Sequence, residues 1–170
     1  MANTSALHRY ALALGSNRAQ SASRPPRRLL AEAAILIAQL GKVQAIAPVI
    51  TTLAIGPSLR DFANGALVIE SALGPEAMLH ALQMIEKRLG RRRHRRWGAR
   101  RMDIDIILWS GGRWNSPSLR IPHPHFRTRA FVLTPLRTIA ATWRDPVSGL
   151  TVRQLHARSR KATALPPARG

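Results

Sequence analysis

The sequence predicts an α+β fold in which an antiparallel sheet packs against helices. Segments with the composition of strands alternate with two segments of helical periodicity, in the order strand, helix, strand, strand, helix, strand. The 170 residues are 45% hydrophobic, which is enough for the packed core of one domain of ordinary size. We therefore expect a single domain over residues 1–158 and a basic, disordered tail over residues 159–170.

The first half of the chain predicts three strands and one helix. An apolar run over residues 8–14 ends at a glycine turn and is typical of a strand. Ser23 can cap a helix that has two prolines in its first turn and apolar residues at helical spacing as far as Gly41. β-Branched residues favour a second strand over residues 43–52, and a third strand follows over residues 62–69.

The second half predicts another helix and the last strand of the sheet. Apolar residues at helical spacing lie between Gly74 and Gly90, and a strand pattern follows over residues 102–109. Beyond it come a short apolar element at 131–139 and a short helix at 152–157. This order is the ferredoxin-like split βαβ sandwich, in which an antiparallel sheet carries both of its helices on one face.

Composition and charge restrict the possible partners and compartments. Lys and Arg total 27 against eight Asp and Glu, a net charge of +19, which favours nucleic acid or a small polyphosphate as partner. The absence of cysteine excludes disulfides and thiolate metal sites, so we expect a cytoplasmic protein. The N-terminus lacks a secretory pattern, and no uncharged stretch reaches the roughly 18 residues of a membrane span, so we expect no membrane partner.

Two aspartates in the last strand are the strongest chemical signal. Because strand side chains alternate, Asp103 and Asp105 share one face, with Cα atoms roughly 6.5 Å apart. We expect the apolar residues of this strand to face the helices and the carboxylates to lie on an open sheet face; these apolar residues are Met102, Ile104, Ile106 and Leu108. Paired carboxylates suit Mg²⁺, which fills its shell with water and substrate phosphates, although ion pairs with nearby arginines are an alternative.

The segment before this strand is dense in arginine. Seven of the eleven residues 91–101 are arginines. Arginines beside a metal site are what phosphoryl transfer needs, because catalysis there depends on positioning and charge neutralisation. The Gly-rich loop of P-loop enzymes is absent. A solvated basic loop and a single-strand nucleic-acid binder remain alternatives.

Several motifs, in order over residues 8–157, resemble the 6-hydroxymethyl-7,8-dihydropterin pyrophosphokinase family of folate biosynthesis. The motifs are Ala13-Leu14-Gly15-Ser16-Asn17, Asp61-Phe62-Ala63-Asn64-Gly65-Ala66, Arg96-Trp97-Gly98-Ala99-Arg100-Arg101-Met102-Asp103-Ile104-Asp105-Ile106-Ile107, Ile121-Pro122-His123-Pro124 and Arg129-Ala130-Phe131-Val132-Leu133-Thr134-Pro135-Leu136. The resemblance implies that ATP gives its pyrophosphoryl group to the hydroxymethyl group of the pterin, and that AMP is released.

The resemblance also implies roles for individual residues. Asp103 and Asp105 would bind two Mg²⁺ ions, and Asp105 could accept the proton of the attacking hydroxyl. The catalytic arginines would be Arg91 and Arg100, which would also bind ATP together with His123 and Arg129. Glu86 would have a structural role. The residues implied on the pterin side are Thr52, Phe62, Asn64, Trp97 and Phe131.

Two other functions remain open. An RNA-binding module can have the same fold. The bases of a bound RNA would stack on aromatic residues of the central strands such as Tyr10 and Phe62, but the two carboxylates would repel its phosphate backbone. We therefore do not expect nucleic acid as a partner. A degenerate, non-catalytic relative is the other alternative, because residues 48–60 lack the family's aromatic residue and its Gln-Pro pair. We expect a monomer that binds ATP and a hydroxymethyl dihydropterin.

Overall fold

The structure, a computed structural model, describes residues 6–17, 24–52, 62–90 and 102–164. Within them the strands are β1 His8–Ser16, β2 Lys42–Ile46, β3 Ile50–Thr52, β4 Phe62–Ser71, β5 Asp103–Trp109, β6 Trp114–Asn115 and β7 Arg120–Ile121. The helices are α1 Pro26–Ile37, α2 Pro75–Arg88, α3 Ala130–Ala140 and α4 Val152–Ala164.

The main sheet is antiparallel, as predicted. Its order is β2-β4-β1-β5, with β3 pairing to β4 beyond the end of β2, while β6 and β7 form a separate ladder. The predicted strand over residues 43–52 is therefore two strands. Pro48 lies in the break between them, and because proline has no N–H to donate to a ladder, pairing with β4 is interrupted there.

Helices α1 and α2 pack on one face of the sheet, in agreement with the prediction for these two helices. The core between them and the sheet contains Tyr10, Leu12 and Leu14 of β1 together with Leu30, Ala33, Ile37, Met78, Leu82 and Ile85 of the helices. Pro25 occupies the N-cap position of α1; Ser23, which we expected to cap it, lies outside the described residues. Gly90, which follows α2, has φ 88°, a left-handed conformation that ends helices at low cost.

The opposite face is not open, which corrects the sequence-based expectation. Helices α3 and α4 cover part of it, above the small residues Ala11, Ala13 and Ala66 of the central strands. These short side chains allow the helices to approach the sheet closely. The helical residues of this second core are Val132, Leu133, Leu136, Ala140, Val152 and Leu155. Asp103 and Asp105 therefore lie beside a covered region of the sheet.

A β-bulge in β5 changes which way its side chains point. Ala11 pairs with Leu108 and Leu12 with Ile106, so Ile107 is an extra residue. Before the bulge, Ile104 and Ile106 face the α1–α2 core as predicted. The prediction that Leu108 faces the same way is wrong, because the inserted residue reverses the alternation and Leu108 packs with α3 and α4.

Helix α4 is longer than the sequence suggested. It extends to Ala164, and not to residue 157 as expected. The expectation of a disordered tail from residue 159 is therefore wrong for residues 159–164, and residues 165–170 lie outside the described part. Ser159 is buried, and its hydroxyl donates to the carbonyl of His156, so the helix retains an inward face beyond residue 157. No helix in the described ranges is long and apolar enough to cross a membrane.

Candidate functional site

The two aspartates lie on one face of edge strand β5, as the alternation predicts. Asp105 is opposite Ala13 and Asp103 is opposite Gly15 on β1, while Ile104 between them faces the α1–α2 core. The Asp105 side chain is 34% exposed, so a ligand can reach it from solvent. Paired carboxylates of this kind provide the oxygen donors that hard divalent cations prefer.

Glu86 on α2 fixes the segment between the aspartates. It is 3% exposed, and its Oε1 accepts a hydrogen bond of 2.7 Å from the backbone N–H of Ile104. Among the described residues β5 is an edge strand, so this N–H has no partner strand there on its outer side. A carboxylate acceptor there makes a strong, charge-assisted bond that holds Asp103 and Asp105 in register.

His123 lies next to the aspartates. Its backbone N–H donates to the carbonyl of bulge residue Ile107 at 3.1 Å, and its Nε2 is 3.8 Å from Asp105 Oδ2. The N–H of His125 donates to its Nδ1 at 3.3 Å, which leaves the ring proton on Nε2. Burial, reinforced by the charges of Arg129 and His125 and opposed by Asp103, lowers the pKa of His123 to about 4. The imidazole is therefore neutral at pH 7.

A second polar group lies on the same sheet face, across β1. Asn64 on β4 is directly opposite Gly15, and it is 4% exposed. Its Nδ2 donates to Thr52 Oγ1 at 2.8 Å, and Thr52 pairs with Phe62 across the β3–β4 ladder. A Cβ added at Gly15 would be 3.5 Å from Asn64 Oδ1, so the missing side chain leaves space between Asn64 and Asp103.

Arg129 and Phe131 lie where the chain enters α3. The Arg129 guanidinium is 5.8 Å from the centre of the Phe131 ring, and Phe131 is 36% exposed on the first turn of the helix. Arg129 also contributes to the lowered pKa of His123, which shows that its charge acts on the aspartate region. An exposed aromatic ring next to a cation can stack on a flat ligand.

The structure brings together part of the predicted site. Asp103, Asp105 and His123 form one group, and Thr52, Phe62 and Asn64 form another on the same sheet face. The other predicted residues Arg91, Trp97 and Arg100 lie outside the described residues.

Sequence reasoning missed one polar residue near this site. Asn17 is 5% exposed, and within the described residues no hydrogen-bond partner reaches its Oδ1. Its position directly after the buried Ser16 at the end of β1, within the glycine turn, was the available signal. A buried amide oxygen without a partner is costly, which is typical of a group that meets a ligand or water.

Comparison with known proteins gives a consistent result. A family model described as 7,8-dihydro-6-hydroxymethylpterin-pyrophosphokinase matches residues 11–141. The chain is 36% identical over 143 residues to the 2-amino-4-hydroxy-6-hydroxymethyldihydropteridine pyrophosphokinase of Pseudomonas aeruginosa, covering 82% of this chain and 85% of that protein. It is 41% identical over 102 residues to the protein of the same name from Synechocystis, covering 60% of this chain and about half, 52%, of that protein.

Solved structures share the fold. One is a structure of HPPK-DHPS in complex with substrates, with a TM-score of 0.70 at 13% identity, covering 93% of this chain and 44% of that one. Another is wild-type Plasmodium falciparum HPPK-DHPS, with a TM-score of 0.69 at 14% identity, covering 90% of this chain and 44% of that one. At this identity the likeness supports the fold alone, and this chain spans less than half of each of the two.

Proposed function

This chain belongs to the 7,8-dihydro-6-hydroxymethylpterin-pyrophosphokinase family, and on that basis we propose that it transfers a pyrophosphoryl group from ATP to 6-hydroxymethyl-7,8-dihydropterin, releasing AMP. The family match covers most of the chain, and the relative from Pseudomonas aeruginosa aligns over most of its own length. The reaction serves folate biosynthesis.

The observation that carries this proposal is the carboxylate pair on β5 with His123 beside it. Among the described residues no group of three His, Cys, Asp or Glu side chains could enclose a metal ion. Two carboxylates suit Mg²⁺ nevertheless, because this ion keeps water and takes substrate phosphates as further ligands. We propose that Asp103 and Asp105 hold two Mg²⁺ ions. When bound, the metal neutralises phosphate charge and makes the attacking hydroxyl more acidic.

The chain's own residues would bind and orient ATP. A neutral His123 can donate from Nε2 to a phosphate or ribose oxygen, and its lowered pKa supports that protonation state at pH 7. Arg129 would contact the phosphates, and Arg91 and Arg100 would neutralise the charge that develops during transfer. Asp105, partly exposed to solvent, would accept the hydroxyl proton directly or through water.

The pterin would occupy the space between Asn64 and Asp103. Because Asn64 Nδ2 is held by Thr52, the amide oxygen remains to accept hydrogen bonds from the pterin ring. The exposed ring of Phe131 would stack on the pterin, with Phe62 near it. Trp97 would close over the substrates. The absence of a side chain at Gly15, between Asn64 and Asp103 in the sheet, supports this location.

Finer properties follow as proposals. The antiparallel order β2-β4-β1-β5 is consistent with a ferredoxin-like split βαβ sandwich to which α3 and α4 add a second layer. We propose that the chain forms one domain, which α4 extends to Ala164, beyond the predicted boundary at residue 158, and that the protein is a cytoplasmic monomer. An RNA-recognition role for the sheet face is less well supported, because Tyr10 is buried in the α1–α2 core and donates its hydroxyl proton to the carbonyl of Leu73 at 2.6 Å.

Release of AMP from ATP tests the proposal directly. Wild type with Mg²⁺ should release AMP only when the dihydropterin is present. Asp103→Asn and Asp105→Asn should each reduce turnover by about 100-fold or more while circular dichroism stays unchanged. Glu70→Gln removes a carboxylate at the distant end of β4, opposite Arg9, and should retain turnover.

Two results would reject the reaction or the site. A folded wild type that releases no AMP in the presence of the dihydropterin would make the chain a non-catalytic relative. Turnover of Asp105→Asn equal to that of Glu70→Gln would reject the metal site but leave the reaction in place.

A further inference from the structure

A groove between α3 and α4 concentrates positive charge. Its volume is about 470 Å³. Its lining consists of Arg137 from α3 and Arg153, His156, Ala157, Arg160 and Lys161 from α4. Four of these six residues are permanent cations, and all four are exposed.

No acidic residue balances this charge. Neither α3 nor α4 contains Asp or Glu, and within the described ranges none of the four cations forms an ion pair. Asp145, in the connection between the two helices, is 0% exposed and already engaged by Arg127. Burial, followed by the charges of Arg137 and Arg160, lowers the pKa of His156, which is a further sign of uncompensated positive charge.

The Arg153 end of the groove is distant from the aspartates, because the N–H of Arg153 donates to the carbonyl of Ala141, close to Trp143. Trp143, which follows α3, lies 5.6 Å beneath the guanidinium of Arg9 at the start of β1. Arg9 and Gly15 are six residues apart on this strand, a distance of about 20 Å, and Gly15 is the residue that pairs with Asp103. The repulsion by Asp103 and Asp105 that argues against nucleic acid on the sheet face is therefore weak at this end of the groove.

The spacing of the cations fits a chain of phosphates. Arg153 and Arg160 lie on one face of α4, two helical turns apart, which separates them by about 10 Å along the axis. Successive phosphates of a stacked nucleic-acid strand advance roughly 3.4 Å along the helix axis, and those of an extended strand advance further, so this length covers about two or three phosphates. Of the described residues that line the groove, His156 alone has an aromatic ring, and this imidazole hydrogen-bonds Thr134. We therefore expect contacts to phosphates and not to stacked bases.

We propose that the α3–α4 groove binds the phosphate backbone of a single-stranded nucleic acid without reading its sequence. The residues of this site differ from those of the proposed pyrophosphokinase site, and the proposal does not depend on that function. Binding through phosphates alone is strongly salt-dependent, because each neutralised phosphate releases counterions.

Fluorescence anisotropy of a labelled 20-nucleotide single-stranded RNA tests the proposal with the full chain. The groove variant is Arg153→Gln with Arg160→Gln. The matched control is Lys87→Gln with Arg113→Gln, which removes the same charge from exposed positions outside the groove. Glutamine retains good helix propensity, and circular dichroism checks the fold of both variants.

We expect a large loss of RNA-binding affinity in the groove variant and not in the control. Removing two phosphate contacts should lower the slope of log K against log salt by about 1.4, which corresponds to binding about 25-fold weaker at 0.1 M salt. The control should stay within threefold of wild type, and polyuridine should bind as tightly as a mixed sequence. Equal losses in both variants, no loss in either, or a tenfold preference for one sequence would each overturn the proposal.

Discussion

Removal of the Asp145 charge should make the stability of this protein less sensitive to acid. Asp145 is 0% exposed and accepts hydrogen bonds from Arg127 Nε at 2.6 Å and Nη2 at 2.7 Å. It also accepts from the N–H groups of Val147 and Ser148, each at 3.1 Å, and from the Ser148 hydroxyl at 2.5 Å. These bonds join the turn that follows His123 to the connection between α3 and α4. Asp145→Asn keeps the shape of the side chain but removes its charge.

The pKa of Asp145 gives the expected size of the effect. Burial alone would raise this pKa, but the hydrogen bonds, that from Arg127 foremost, lower it from 3.8 to about 2. Because the pKa is lower in the folded state, the stabilisation is present above about pH 3.8 and is lost as the pH falls towards 2. The shift corresponds to about 2.4 kcal/mol of unfolding free energy at pH 7, of which about 1.1 kcal/mol is lost between pH 5 and pH 3.

Urea unfolding of wild type and Asp145→Asn at pH 5 and pH 3 measures this difference. The variant should be less stable by about 2 kcal/mol or more at pH 5, and the gap should shrink by about 1 kcal/mol at pH 3. Glu32→Gln is the control, because it breaks a partly exposed ion pair with Arg24 that we expect to contribute little to stability. A gap that stays constant between the two pH values would refute the reasoning.

Three further predictions concern the site. Gly15→Val should fill the space next to Asn64 Oδ1 and weaken kcat/KM for the pterin at least about tenfold, with the KM for ATP unchanged in steady-state assays. Thr52→Val removes the acceptor of the Asn64 amide and should cost about 1–2 kcal/mol in urea unfolding, whereas Thr52→Ser should restore most of it. Glu86→Ala leaves the Ile104 N–H without its carboxylate, so it should lower the free energy of unfolding by about 2–3 kcal/mol and reduce turnover. Glu86→Gln should recover part of both. Wild-type turnover in Glu86→Ala would show that this bond does not position the aspartates.

The fold was predictable where a local pattern determines it. Helical spacing of apolar residues located α1 and α2, and alternation located β1, β4 and the exposed face of Asp103 and Asp105. Pro48 gave a signal for the break between β2 and β3 that a continuous-strand interpretation overlooked. The bulge at Ile107 gave none, because an extra apolar residue in an apolar strand leaves the composition unchanged.

The site was predictable only in part from the residues themselves. The aspartate pair is visible in sequence because two acids with period two are costly in a strand unless they have a ligand. Asn64 and Phe131 required a family resemblance, since a lone amide or aromatic residue has many ordinary structural roles. The bond from Ile104 to Glu86 joins positions 18 residues apart, so it depends on how α2 docks against β5 and has no local pattern.

The bulge makes β5 a strand whose two halves have opposite parity. In the first half the odd-numbered Asp103 and Asp105 face the α3 side, and in the second half the even-numbered Leu108 does. Deleting Ile107 would leave Leu12 opposite Ile106 and Ala11 opposite Leu108 in a regular ladder, so Leu108 and both carboxylates would keep their present faces. The deletion would instead remove the carbonyl that accepts the N–H of His123. The extra residue is therefore required for the position of His123 and not for the facing of the carboxylates, so this chain should tolerate an apolar substitution at position 107 far better than a deletion there.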